Sequence, residues 1–314
     1  MQASTLAFTT PADAPRWKRW LVYSPLARIL IYVALLMATV KLTMLGFHAI
    51  GINRNSPVLL RAYAECFGRA IPPLLAYLVL VKGIERRPLA EFARDRWLRH
   101  SATGLFAGAL LFSAVVGELW LLGSYHVLGF NLHAHWWIAL ITVGVGAGIG
   151  EEIMFRGALY RIVEEGLGTW GALVISALAF GFIHIQNPGA TVWSSSAIAI
   201  EAGLLFGLLY HVTRSLPICM GLHASWNFMQ GTVYGIPVSG TAADGFLVST
   251  RTGPTWLSGG AFGAEASVIA LLMCSVCTLA LLWLAVRRGS IVPPAWKRTR
   301  AVELSAWDRM DKVR

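Results

Sequence analysis

A chain of 314 residues that is 56% hydrophobic and only 13% charged, with a mean hydropathy of +0.61, is not a water-soluble domain. It reads as an integral membrane protein. The net charge of +10 does not point to nucleic acid, because Lys and Arg gather in short segments between apolar runs, as membrane topology requires. The four cysteines form no framework. Cys66 stands alone, Cys219 lies near a helix start, and Cys274 and Cys277 share one face of an apolar helix, so packing is the role expected of them.

Residues 1–24 carry Arg16, Lys18 and Arg19 without an apolar core and small-residue cleavage site, and are expected to form a basic cytoplasmic tail rather than a signal peptide. Apolar runs long enough to span a bilayer fall near 26–46, 68–84, 104–128, 136–160, 169–187, 194–213, 216–235 and 264–286. The expectation is an all-α polytopic protein of about eight transmembrane helices around an intramembrane catalytic cavity. Its membrane domain covers 25–286, and residues 287–314 form a second basic tail. Pro72 and Pro73 shorten the second run, predicting a kink or a late start there.

The basic residues alternate between sides as this topology demands. Arg28, Lys82, Arg86, Arg87, Arg94, Arg96, Arg99, Arg161, Arg214, Arg287, Arg288, Lys297, Arg298 and Arg300 fall on one side, which places both termini in the cytoplasm. Arg54, Arg61 and Arg69 fall on the outer side and break the pattern. Residues 85–100 read either as a short amphipathic helix in the interface or as an ordinary charged loop. Residues 231–263, rich in Gly, Ser and Thr, read as a long outer loop, re-entrant if Trp256 and Phe262 dip into the interface. No internal repeat is visible.

The fourth run holds the first chemistry. Gly144, Gly146, Gly148 and Gly150 lead into Glu151, Glu152 and Arg156 within an otherwise apolar segment. Each ionisable group at the centre of a membrane helix costs roughly 2.5–3.5 kcal/mol on insertion scales, so such residues face the protein interior. On a helix Glu152 and Arg156 share a face at i and i+4, while Glu151 points about a quarter turn away, without a local partner. Gly144, Ala147 and Gly148, one turn earlier, let neighbouring helices come close and leave room for a cavity.

Further along, Phe180 and His184 share a face at i and i+4, as do His223 and Asn227. A lone membrane histidine is usually a packing residue. Six polar residues on three spans, each group presenting one face, are buried most cheaply together. A carboxylate beside imidazoles can hold and deprotonate water, and a second imidazole with a carboxamide can stabilise an oxyanion. That chemistry suits peptide hydrolysis without a covalent intermediate. Zinc held by His184, His223 and a glutamate is the alternative, although no His-Glu-x-x-His is present. Ser225 lies on another face and lacks a Gly-x-Ser-x-Gly setting. His48, His100, His126, His133, His135 and His211 are expected at helix ends, without a chemical role.

These motifs resemble the CAAX protease and bacteriocin-processing family, also called the Abi family, which includes the prenyl-protein endopeptidase of the eukaryotic endoplasmic reticulum. Glu-Glu-x-x-x-Arg matches Glu151 to Arg156, Phe-x-x-x-His matches Phe180 to His184, and His-x-x-x-Asn matches His223 to Asn227, together covering residues 144–230. The stretch from Leu222 to Ser267 looks like a common bacterial branch. The first three helices carry no matching motif.

The resemblance implies an eight-helix intramembrane endopeptidase of the glutamate type, with no cofactor and no catalytic metal. Glu151 and His184 would activate water, and His223 and Asn227 would stabilise the oxyanion. It also implies a bacterial inner membrane, with the lipid bilayer and a membrane-associated protein or peptide substrate as partners. A catalytically silent scaffold of the same fold and a transporter are the competing readings. A transporter should show two related halves with discontinuous helices, and no such symmetry is present.

Overall fold

A computed structural model describes residues 6–298. Residues 1–5 of the N-terminal tail and 299–314 of the C-terminal tail, with Arg300, lie outside the described residues. The architecture is all-α and polytopic. Among the described residues six helices are long and apolar enough to cross a membrane: α1 (Pro25–Ala49), α2 (Val58–Ile84), α3 (Arg94–Leu121), α4 (Trp136–Gln186), α5 (Val192–Thr213) and α7 (Val268–Arg287). Between the last two lies α6 (Leu216–Phe228), which continues through a π-helical turn at Met229–Val233.

The expected eight spans and these six helices differ for two reasons. Helix α4 is 51 residues long, a rise of about 76 Å at 1.5 Å per residue, more than twice the thickness of a hydrocarbon core. It breaks at Gly168, whose φ of 75° and ψ of 179° leave the helical region, so it holds the two runs expected at 136–160 and 169–187. A side chain at Gly168 would meet the Val292 carbonyl at 2.5 Å, and Thr169 exchanges hydrogen bonds with Val292 through its N–H and Oγ1. The segment after α7 therefore folds back into the break. Helix α6 covers most of the run expected at 216–235, but its regular part has only 13 residues.

Several boundaries move. The second run starts earlier, at Val58, and keeps Pro72 and Pro73 inside the helix. The prolines leave the Gly68 and Arg69 carbonyls without their helical donors, and the Pro72 carbonyl accepts from Thr39 Oγ1 at 3.1 Å across the α1 contact. The third run ends at Leu121 instead of 128, because Tyr125–Phe130 forms a strand, β1, paired antiparallel with β2 (Leu247–Arg251). The long segment 231–263 is thus anchored to the α3–α4 connection. Arg61 and Arg69, read as outer-loop residues, lie on α2.

Exposed apolar side chains such as Leu26, Leu30 and Met37 on α1 and Leu272, Val276 and Leu279 on α7 suit lipid contact. The main core runs through the middle of the bundle, from Tyr77 and Leu80 to Phe112, Ile153, Tyr210 and Cys219. Helices α3 and α6 cross with their backbones close together. A Cβ on Gly104 or Gly108 would lie 2.2–2.3 Å from the carbonyls of Ile218 or Leu222, the small-residue contact of membrane helices. Cys66, Cys219 and Cys274 are buried free thiols and Cys277 is half-buried.

At one end of the bundle, residues read as a basic flank form a buried ionic network. Arg28 pairs with Glu85 at 2.8 Å and with Glu165, Arg161 with Glu85 at 2.9 Å, and Arg87 with Glu85 and Glu91 at 2.7 and 2.8 Å. Glu85 is held below the usual carboxylate range: burial pushes it up, but Arg161, Arg28 and Arg87 outweigh that effect. Within the segment 85–100, Glu85, Arg87 and Glu91 are thus buried while Arg86, Pro88 and Ala90 are exposed, and α3 begins at Arg94. His211 is likewise buried, bonded to Glu164 at 2.8 Å and Ser290 Oγ at 3.0 Å, and Arg214 pairs with the same glutamate. At the other end Asp244 accepts from the His135 and Asn131 side chains and from the His135 N–H. The backbone hydrogen bond from His135 is the main reason its carboxyl sits below the ordinary value.

Candidate active site

The alternating glycines place the polar cluster by serving two neighbours at once. Gly146 and Gly150 face α2, where a Cβ would lie 3.1 Å from Cys66 Cα and 2.1 Å from the Arg69 carbonyl. Gly144 and Gly148 face α6, with a Cβ 3.6 Å from the Ala224 carbonyl and 3.2 Å from the Ala224 nitrogen. Helix α4 is thus held between α2 and α6 at the level of Glu151 and Glu152. Its backbone is π-helical at Leu140–Gly146 and Ile153–Tyr160, on either side of a regular turn at Ala147–Glu152. Such wide turns recur at functional sites.

Glu152 and Arg156 are completely buried and paired at 3.0 Å, as their i, i+4 spacing requires. Both members also contact neighbouring elements, although Glu152 Oε2 and Arg156 Nε are buried without a hydrogen-bond partner. Arg156 Nη2 donates to the carbonyls of Ala202 at 2.9 Å and Gly203 at 3.3 Å, in the π-helical stretch Ala199–Leu204 of α5. Its guanidinium carbon sits 4.5 Å from the Phe180 ring centroid and 5.1 Å from that of Phe206. Glu152 Oε1 also lies 2.9 Å from His223 Nδ1. With Arg156 supplying only donors, Nδ1–H is the donor in that contact, which leaves His223 Nε2 free.

Glu151 points into a different environment. Its Oε2 lies 3.9 Å from His184 Nε2 and 3.9 Å from His223 Nε2, is buried, and has no hydrogen-bond partner. His184 Nδ1 lies 2.7 Å from the Phe180 carbonyl, so it donates there and its Nε2 also faces Glu151. Asn227 donates through Nδ2 to the Val143 carbonyl at 2.8 Å. Glu151, His184, His223 and Asn227 all line one cavity of about 220 Å³. Among the described residues no group of three His, Cys, Asp or Glu side chains is placed to hold a metal ion. Ser225 is turned away and donates to the Leu222 carbonyl against α3.

The structure therefore brings the six residues singled out in the sequence into one cluster with two layers. Glu151, His184, His223 and Asn227 face the cavity, while Glu152 and Arg156 stand behind it. Several cavity residues carry no signal in the sequence pattern. Arg69 of α2 lines the cavity while paired to Glu65 at 2.7 Å, and Val238, Ser239 and Thr241 arrive from the segment read as an outer loop. Two buried glutamates, Glu201 and Glu265, line an adjoining cavity together with His184, His223 and Asn227. Glu201 was open to discovery, as an acidic residue inside an apolar run.

Fold and site together define a polytopic α-helical membrane protein with a polar cavity of about 220 Å³ lined and backed by two glutamates, two histidines, an arginine and an asparagine. Residues 133–229 match the Rce1-like family, described as type II CAAX prenyl endopeptidase Rce1-like, so the resemblance seen in the motifs holds over that stretch. The match spans the end of the β1–α4 connection, α4, α5 and α6, the segments that carry all six residues. At the level of class it supports a membrane endopeptidase. No curated protein matches the chain.

Proposed function

We propose that the protein is an intramembrane endopeptidase that hydrolyses a peptide bond of a membrane-associated protein or peptide, through water activated by Glu151 and His184. The observation that carries this reading is the position of Glu151 Oε2. It is an unpartnered buried carboxyl oxygen 3.9 Å from two imidazole nitrogens that both have their other nitrogen occupied. A water oxygen about 2.8 Å from each of the three atoms fits such a spacing, in hydrogen-bond range for proton abstraction.

The steps follow from the donor inventory. Glu151, assisted by His184, takes the proton of the water as its oxygen attacks the scissile carbonyl. Negative charge then develops on the carbonyl oxygen, towards which His223 and the second N–H of Asn227 can donate. His223 serves this role only when Nε2 carries a proton, with Glu152 holding its Nδ1 side. The proton gathered by Glu151 passes to the leaving amine as the tetrahedral species collapses. Arg156 and Glu152 fix the His223 ring and do not touch the substrate.

In this reading the protein sits in a bacterial inner membrane with both termini in the cytoplasm. The deciding experiment is comparative membrane proteomics of a strain lacking the protein and one carrying only Glu151→Ala. A protein that accumulates uncleaved in both is the expected outcome. If a strain with Glu151→Ala processes every membrane protein as wild type does, the peptidase reading is lost and a silent scaffold takes its place.

A further inference from the structure

Burial normally obliges a carboxylate to find a cation, and the buried glutamates of this chain divide on that point. Glu85, Glu91, Glu152, Glu164 and Glu165 are buried, and each lies within ion-pairing distance of an arginine or histidine. Glu201 and Glu265 are equally buried, at 2% and 4% exposure, yet among the described residues neither has a basic side chain in that range. Glu265 Oε1 accepts from Ser239 Oγ at 2.6 Å, and Glu201 Oε2 has no partner at all. Both come from irregular backbone, Glu201 from the π-helical stretch of α5 and Glu265 from a 3₁₀ turn at Ala264–Ala266.

The two carboxyls line a small cavity of about 40 Å³ with apolar walls that include Phe180, Ile198, Leu205 and Trp226. It shares His184, His223, Asn227 and Ser239 with the cavity around Glu151. A group seated between Glu201 and Glu265 therefore adjoins a peptide bond held at Glu151. The charge of Arg156 is not available to them, since that guanidinium is committed to Glu152 and to the Ala202 and Gly203 carbonyls.

We propose that this cavity is a subsite for a lysine- or arginine-type side chain of the peptide processed at Glu151, its ammonium or guanidinium held between Glu201 and Glu265. The proposal rests on the peptidase reading for its substrate. The apolar walls suit the aliphatic stem of such a side chain while the two acids take its charged head. An acidic residue at the same place in a substrate meets two carboxyls and is rejected, which makes the subsite a source of sequence selectivity.

Small probes test the subsite without any need for hydrolysis. The melting temperature of the detergent-purified protein is measured with n-butylammonium, n-butylguanidinium, n-butanol and butyrate. The cations should raise it by about 2 °C or more at concentrations well above their Kd, in wild type and in E151Q alike, while the alcohol and the acid do not. E201Q and E265Q should each lose the shift. Unliganded E201Q should melt at or above wild type, because an unpartnered acid becomes a neutral amide, so a lost shift is not lost folding.

Absence of a cation-specific shift in wild type overturns the proposal. So does an equal shift in the E201Q/E265Q double variant. In lipid nanodiscs, quenched-fluorescent peptides bearing lysine, norleucine or glutamate at successive positions provide the second arm. Cleavage favouring lysine at one position in wild type, with the preference abolished in E201Q, is the expected result. Cation binding without any peptide cleavage would sink the peptidase reading while the cation site stands. Cleavage with no preference and no cation shift would sink the subsite alone.

Discussion

His223 Nδ1 lies 2.9 Å from the same Glu152 oxygen that takes the Arg156 guanidinium at 3.0 Å. One carboxylate thus ties α6 to α4 and fixes which histidine nitrogen faces the cavity. Removing it as Glu152→Ala strands Arg156 among Phe180, Phe206 and backbone carbonyls. Breaking a buried pair in this way costs about 3–5 kcal/mol, so the variant should melt well below wild type and lose activity as well. Glu151→Gln strands no charge. It should melt within a degree or two of wild type while cleavage falls at least about 10²-fold, the lower end for loss of a general base. Melting temperature and cleavage of the substrate found by proteomics, measured on both variants, decide the matter. A normally cleaving Glu151→Gln reverses the two roles.

Metal dependence is the next expectation. Arg156 brings a fixed positive charge behind the cluster, and Glu152, the only anion bonded directly to His223, is already neutralised by it. A dication beside that guanidinium is disfavoured. Purified protein should therefore contain less than stoichiometric zinc and keep its activity through chelator treatment. Activity lost to chelator and restored by zinc would instead make His184 and His223 ligands.

Acid should weaken the network at Glu85, which holds Arg28, Arg87 and Arg161 together from three parts of the chain. Because its carboxyl sits lower in the folded protein than in an unfolded chain, its contribution is fully present above the ordinary glutamate value. The contribution is lost as pH falls through the folded value. Melting temperature in detergent should decline as pH falls below the ordinary glutamate range, and Glu85→Gln should flatten that part of the profile while melting lower at neutral pH by an amount equivalent to about 3–5 kcal/mol. An unchanged profile in Glu85→Gln would place the acid sensitivity elsewhere.

Orientation is read from the basic flanks, and the structure changes which residues carry that signal. Arg28, Arg87, Arg161 and Arg214 are neutralised by glutamates, which leaves Arg16, Lys18, Arg19, Lys82, Arg86, Arg94, Arg96, Arg99, Arg287, Arg288, Lys297 and Arg298 as the described residues behind it. On the positive-inside rule these residues mark the cytoplasmic side, so reporters fused at residues 10 and 310 should both report the cytoplasm. An external signal from either would refute the arrangement.

Legibility in the sequence followed the range of the interaction. The pairing of Glu152 with Arg156 was visible because helical spacing fixes it, and so was the common face of Phe180 and His184. The bond from His223 to Glu152 joins residues 71 apart in the chain, and no local pattern encodes it. Charges were visible and their partners were not, which is why Arg28 and Arg161 read as topology signals while they lie buried against Glu85 and Glu165. Strand β1 was absorbed into a predicted span because Tyr125–Phe130 is apolar, and its pairing with Leu247–Arg251 is again a contact between distant segments. The helix break at Gly168 was expected as a gap between two runs, but not as a seat for Val292.

Gly150 tests how tightly the whole site is held. Its backbone packs on α2 so closely that an added Cβ would lie 2.1 Å from the Arg69 carbonyl oxygen and 3.0 Å from its carbon, both backbone atoms that cannot swing aside. Gly144→Ala on the opposite face meets nothing nearer than 3.6 Å. Overpacking a tight contact costs about 1–3 kcal/mol, so Gly150→Ala should melt clearly lower and Gly144→Ala should stay near wild type. Relief of the clash must push α4 away from α2, and Glu151 is the next residue along. A shift of about 1 Å in a catalytic group can cost about 10²-fold in rate, so Gly150→Ala should lose cleavage even at temperatures where it remains folded. If Gly150→Ala melts and cleaves like wild type while Gly144→Ala does not, α4 is seated against α6 rather than α2, and the two glycine faces have been assigned in reverse.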